Sequence, residues 1–134
     1  MRRFEFFLIL LFILPSPGFS GELRITAGKF RVEPPTLHCA GFEWEVAGDT
    51  NRNARVEVKF REKNTKKWQD ALPLMRQNGE RTWYDRVELD FMAPNLFAGS
   101  IFNLTPGTTY ECHFNLSDPD GVDGPTEQTV FVQT

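Results

Sequence analysis

Few residues of this 134-residue chain have the types and spacing that suit chemistry. Asp118, Asp120 and Asp123 cluster in Ser117-Asp-Pro-Asp-Gly121-Val-Asp-Gly124 and resemble the opening of a calcium loop. Such a loop closes with a bidentate Glu at its last position and is flanked by helices. Thr129 stands at that position here, and the flanks read as strands. Asp-Pro-Asp-Gly satisfies turn chemistry unaided, so no metal is expected. His38 and His113 are the only histidines, both with outward parity on predicted strands and neither beside a ligand cluster, which makes a poor zinc site. No Gly-x-Ser-x-Gly, His-Glu-x-x-His or phosphate-cradling glycine loop is present. No catalytic residue and no cofactor are therefore expected. Trp68, Trp83 and Tyr84 are the candidate ligand contacts, as flat rings on which a sugar can stack. The structural alternative has Trp83 and Tyr84 covering the edge of the core. Cys39 and Cys112 are the only thiols. They either pack as small hydrophobes or, if exported, can form a disulfide.

The elements that must position these residues all read as strands. Tyr110, Cys112, Phe114 and Leu116 alternate with Glu111, His113 and Asn115, the period of a half-buried strand. The turn dipeptide Pro106-Gly107 precedes them. Leu104-Thr-Pro-Gly-Thr-Thr-Tyr110 is a tyrosine-corner arrangement, in which Leu104 and Pro106 shape the turn and the Tyr110 hydroxyl bonds back to upstream backbone. Earlier, Val56, Val58 and Phe60 alternate with charged residues and predict a strand over 54–62. Over 36–46, Leu37 and Cys39 share one parity while Phe42, Trp44 and Val46 share the other. A β-bulge near Gly41 lets both sets face a core and makes Trp44 a core residue. Pro34-Pro35 marks a kink within or after the first strand. Gly48-Asp-Thr-Asn-Arg-Asn53 is a polar turn. A short strand follows over 68–74, and a least regular connection over 76–94 has a turn at Gln77-Asn-Gly79. Strands over 95–104 and 126–133 complete the set, the former apolar on both faces. The expected fold class is all-β, a seven-stranded antiparallel β-sandwich.

The N-terminus carries Arg2 and Arg3, then an apolar run from Phe6 to Leu14 broken by Pro15-Ser16-Pro17. Gly18 and Ser20 occupy the −3 and −1 positions of a cut before Gly21. Residues 1–20 are thus expected to be a signal peptide, since a membrane span needs about 20 apolar residues. Residues 21–32 are read as a leader and the start of the first strand, and residues 33–134 as the folded domain. Losing Arg2, Arg3 and Glu5 takes the net charge from −3 to −4. A mildly acidic surface lacks the basic footprint of nucleic-acid binding. Localisation is expected to be secreted, periplasmic or extracellular, with no membrane contact after cleavage.

From about residue 33 onward the chain resembles a fibronectin type III domain. The resemblance rests on Trp44, the Val56/Val58/Phe60 strand, the Leu104–Tyr110 corner and the final Val-Phe-Val-Gln-Thr134. Immunoglobulin domains, which share this sandwich, join their sheets by a disulfide from the positions of Cys39 and Cys112; a Cys39–Cys112 bridge is expected on that likeness, although fibronectin type III domains usually lack it. A narrower likeness lies in Gly48-Asp-Thr-Asn-Arg-Asn-Ala54, Phe97-Ala-Gly-Ser-Ile101 and Leu116-Ser-Asp-Pro-Asp-Gly-Val122. These look like the N-terminal domain of secreted bacterial proteins that continue into a right-handed parallel β-helix. The resemblance implies a noncatalytic spacer or interaction module, with a C-terminal domain of the same protein or an extracellular polysaccharide as partner. Two alternatives are a carbohydrate-binding module and the N-terminal piece of a polysaccharide-active β-helix enzyme.

Overall fold

The computed structural model describes residues 22–134. The expected signal peptide lies outside the described residues. Eleven strands run in chain order: β1 Ile25–Val32, β2 Ala40–Gly48, β3 Arg55–Glu62, β4 Gln69–Asp70, β5 Met75–Asn78, β6 Arg81–Tyr84, β7 Leu89–Met92, β8 Asn95–Ile101, β9 Thr109–Ser117, β10 Val122–Asp123 and β11 Glu127–Gln133. They form a five-stranded sheet in the order β10-β1-β2-β8-β5, a four-stranded sheet in the order β11-β9-β3-β4, and a two-stranded ribbon β6-β7. The two larger sheets pack face to face in a sandwich. Among the described residues the count exceeds the expected seven by β5, β6 and β7, which lie in the stretch read as an irregular connection, and by the two-residue β10. One pairing, β1 with β10, is parallel.

Period-two alternation builds the core. On β2, Ala40, Phe42, Trp44 and Val46 are buried, and on β9, Tyr110, Cys112, Phe114 and Leu116 are. The rings meet between the sheets: Phe114 lies 4.6 Å from Phe42 and 4.8 Å from Phe30, while Phe30 stands edge-on to its neighbour Trp44 at 5.5 Å. Each such large side chain contributes about 1.5–3 kcal/mol by leaving water. Tyr110 is buried, and its hydroxyl accepts a hydrogen bond from the Thr105 N–H at 2.9 Å.

Several expectations are corrected. The bulge lies in β1, not β2. β2 runs against β8 without interruption from Ala40↔Ile101 to Glu45↔Leu96. Across β1 the register slips between Ala27↔Val46 and Phe30↔Trp44, so Gly28-Lys29 holds the extra residue. A Cβ on Gly28 would come 2.9 Å from the Glu45 carbonyl oxygen, which is why glycine sits there. Leu37 and Cys39 precede β2 and need no bulge to explain their parity. The supposed leader is also structural, since β1 begins at Ile25, which is wholly buried.

The Cys39–Cys112 disulfide is not formed, and both thiols are free. Parity explains this. Ala40 faces the core, so Cys39 one residue earlier points away from it, while Cys112 lies inside. The Cys39 sulfur instead lies 3.0 Å from the Thr36 hydroxyl. Of the strand expected over 68–74, only Gln69–Asp70 pairs with β3, although Leu74 makes an isolated bridge to Val56. The irregular stretch 76–94 holds three strands, one of which, β5, is an edge of the larger sheet.

Candidate functional site

The β6–β7 ribbon is built from Arg81-Thr-Trp-Tyr84 and Leu89-Asp-Phe-Met92 around a single 3-10 turn at Asp85–Val87. Glu88 takes a left-handed conformation, φ 50°, to reverse the chain. The register pairs Arg81 with Met92, Thr82 with Phe91, Trp83 with Asp90 and Tyr84 with Leu89. Directly opposed residues share a face. One face therefore carries Thr82, Tyr84, Leu89 and Phe91, and the other Arg81, Trp83, Asp90 and Met92. All eight strand residues are exposed. Trp83 and Met92 are each 64% exposed, and Val87 at the turn is 65% exposed.

A forked ion pair crosses the ribbon on one face. Arg81 Nε and Nη2 donate to the two oxygens of Asp90, both at 2.7 Å. The guanidinium holds the Asp90 carboxyl below the usual carboxylate range, and Asp90 raises Arg81 in return. At the base, the Ala93 N–H donates to the Glu80 carbonyl at 2.8 Å, and Arg52 reaches the Glu80 carboxylate at 2.9 Å. The ribbon is thus tied to the sandwich by polar contacts at its root, and its apolar side chains stand in solvent.

The sequence-level candidates fall in separate places. Trp83 and Tyr84 do not cover the core edge; they project on opposite faces of the ribbon. Consecutive strand residues cannot present rings to one sugar face. Trp68 lies by the four-stranded sheet, with the Arg61 guanidinium 4.3 Å from its ring centre and His113 at 6.3 Å. The three loop aspartates are separated by task. Asp118 accepts the Asp120 N–H at 2.8 Å, Asp120 accepts the amides of Asn51 and Asn53 at 2.7 and 2.9 Å, and Asp123 pairs with Arg24 at 2.8 Å. The bonds from Asn51 and then Asn53 hold the Asp120 carboxyl below its ordinary value. His38 contacts the Leu104 carbonyl at 3.1 Å and His113 the Thr129 hydroxyl at 3.0 Å. Among the described residues no group of three or more metal-ligating side chains converges. A groove of about 740 Å³ runs between β3 and the 70–74 segment, lined by Arg55, Glu57, Lys59 and Asp70.

Sequence reasoning missed the buried charged pair. Asp49, only 1% exposed, receives the N–H groups of Asn53 at 2.9 Å and Ala54 at 3.3 Å on one oxygen. Its other oxygen receives Arg76 Nε at 3.1 Å. The Arg76 side chain is 13% exposed and lies 5.2 Å from the Phe97 ring centre. It also bonds the Asn95 side chain and the Gln77 carbonyl. Every guanidinium edge is occupied within the protein, so the pair is a clamp joining the Gly48–Asn53 turn to β5. An Asp just after a strand-ending glycine was the available signal. The buried cation opposite it had none, because Arg76 sits in a stretch without periodicity. No protein-family model matches the chain, and no curated protein matches it.

Proposed function

We propose that this chain is a noncatalytic β-sandwich interaction module of the fibronectin type III or immunoglobulin-like kind. It would act outside the cytoplasm as part of a larger protein and engage another protein surface through the β6–β7 ribbon. Seven strands support the fold reading: β1, β2, β8 and β5 take the places of A, B, E and D, and β3, β9 and β11 those of C, F and G. β4 is then an added C′ strand.

The ribbon carries the functional reading. A two-stranded hairpin is marginal in water by itself, and contiguous exposed apolar residues mark interaction sites. Trp, Tyr, Phe and Met are the side chains that anchor interfaces. Apolar side chains on both faces require a partner that receives the ribbon in a cleft, since a flat surface covers one face. Asp85, Arg86 and Glu88 at the turn disfavour a lipid bilayer, because these charges would enter it first. The opposed rings disfavour a sugar platform, and no observation favours the carbohydrate-binding reading.

The partner closest to hand is a further domain of the same protein, so the test begins with the reading frame past Thr134. A downstream domain, produced separately, is expected to bind this chain in calorimetry and to lose binding with Trp83→Ala or Phe91→Ala. Binding unchanged by both variants removes the ribbon as the docking element. A stop codon at that point removes the larger-protein reading. Turnover of a polysaccharide by the purified chain overturns the noncatalytic one.

A further inference from the structure

We infer that β11 is a self-association edge, through which two copies of this chain add strand to strand and continue the four-stranded sheet across a two-fold axis. This edge lies in the four-stranded sheet, apart from the ribbon. Sheet edges are protected by being short, bulged, charged with Lys, interrupted by Pro or covered. Edges β4 and β10 are two residues each and β5 is four. β11 runs seven residues, Glu-Gln-Thr-Val-Phe-Val-Gln, with no Lys, no Pro and one charge. Its register against β9 is unbroken from Glu127↔Asn115 to Gln133↔Thr109. It is the outermost strand of its sheet.

The direction of its hydrogen bonds follows from the two that bracket it. The Leu116 N–H donates to the Thr126 carbonyl at 2.7 Å, and the Thr134 N–H donates to the Thr108 carbonyl at 3.2 Å. Bonded pairs in an antiparallel ladder recur at every second residue. Residues 126, 128, 130, 132 and 134 therefore turn toward β9. Glu127, Thr129, Phe131 and Gln133 turn their N–H and C=O groups outward. Among the described residues none of these groups has a backbone partner outside the ladder. All four side chains are exposed, with Phe131 at 59%.

A second copy fits this edge in one register that uses all of it. With the axis at Val130, Glu127 faces the other copy's Gln133 and Thr129 faces its Phe131. Each outward N–H and C=O then meets its counterpart. No like charges oppose, whereas an axis at Glu127 would set two carboxylates together. The two Phe131 rings become diagonal neighbours on one sheet face, a distance aromatic side chains span. The strand's single charge is thus placed where self-pairing tolerates it.

Sedimentation of the purified chain over a wide concentration range reads this out. A reversible monomer–dimer equilibrium is expected. Thr129→Pro removes an outward N–H and leaves the backbone ladder to β9 intact, losing there only the hydroxyl contact to His113, and proline is tolerated on edge strands. Each copy loses one bond, and the dissociation constant is expected to rise by about a hundredfold. Phe131→Lys adds the charge that natural edges use and is expected to give monomer with the β-sheet circular dichroism retained. Trp83→Ala is expected to leave the equilibrium unchanged. A chain monomeric at all concentrations overturns the inference. So does a dimer that survives both edge variants, or one that Trp83→Ala abolishes.

Discussion

Asp49→Ala is expected to be the most damaging polar substitution described here, and its cost can be worked from the contacts. The change leaves the Asn53 and Ala54 N–H groups without their acceptor and strips the counter-charge from Arg76, which is 13% exposed. Removing one member of a buried ion pair costs about 3–5 kcal/mol, mostly from the charge left behind. That is a large share of the roughly 5–15 kcal/mol that holds a domain folded. Asp49 also has φ 51°, a conformation in which Asn and Asp are favoured over Ala. Part of the loss therefore belongs to the backbone. A double-mutant cycle with Arg76→Met separates the two, because the backbone term is common to both Asp49 legs. Urea unfolding followed by tryptophan fluorescence gives each stability from the midpoint and slope. The expected coupling is about 2 kcal/mol, with the double variant less destabilised than the singles sum to. Additive costs, or a single-variant loss below about 1 kcal/mol, would refute the clamp and leave Asp49 as an ordinary turn residue.

Four further outcomes are expected. Tyr110→Phe leaves the Thr105 N–H without its bond at 2.9 Å and should lower stability by about 1–3 kcal/mol, read in the same urea titration. The native chain should react with a thiol reagent at Cys39 only, because Cys112 is buried and burial, aided by the Glu111 carboxylate, pushes its thiol up to about 12. Since the unfolded thiol ionises near about 8.5, the stability Cys112 contributes is present below that pH and falls away as pH rises toward 12. Cys112→Val should flatten that decline. Asp120 behaves in the opposite sense. Its depressed carboxyl favours the fold above about pH 4 and loses that contribution as acid protonates it, so wild type and Asp120→Asn should converge in stability on acidification.

Much of the sandwich is legible from local pattern. β3 and β9 alternate so regularly that one parity had to be core, and the turn ahead of β9 carries its own register in Pro106-Gly107 and Tyr110. The bulge was misplaced because two parities over 36–46 looked like one bent strand. The actual slip leaves only Gly28 as its mark, in a segment that composition alone assigns to a leader. The disulfide expectation failed for a related reason, since likeness to a fold supplies positions but not the side to which a residue points. The ribbon was legible only in part: Val87, Leu89 and Phe91 alternate as a short strand would and Trp83 and Tyr84 stood out as candidate contacts, but nothing local pairs 81–84 with 89–92. Hydrophobicity tells which side chains seek cover, and covering them can be the task of another molecule. The Asp49–Arg76 clamp joins residues far apart in sequence, and neither alone predicts the other.

The parallel pairing of β1 with β10 bears on how the chain carries load. Ile25 lies beside Val122 and Thr26 beside Asp123; the Ile25 N–H donates to the Gly121 carbonyl at 3.1 Å, and Arg24 grips Asp123 at 2.8 Å. β10 leads through Gly124-Pro125 into β11. Tension entering ahead of β1 and leaving beyond β11 draws two parallel strands along their common axis in opposite directions. The bonds between them are then strained together in shear, rather than opened one after another as in an unzipping hairpin. Within that pair the strands would slide past one another rather than peel apart, while the longer β11–β9 and β1–β2 ladders share the load on either side.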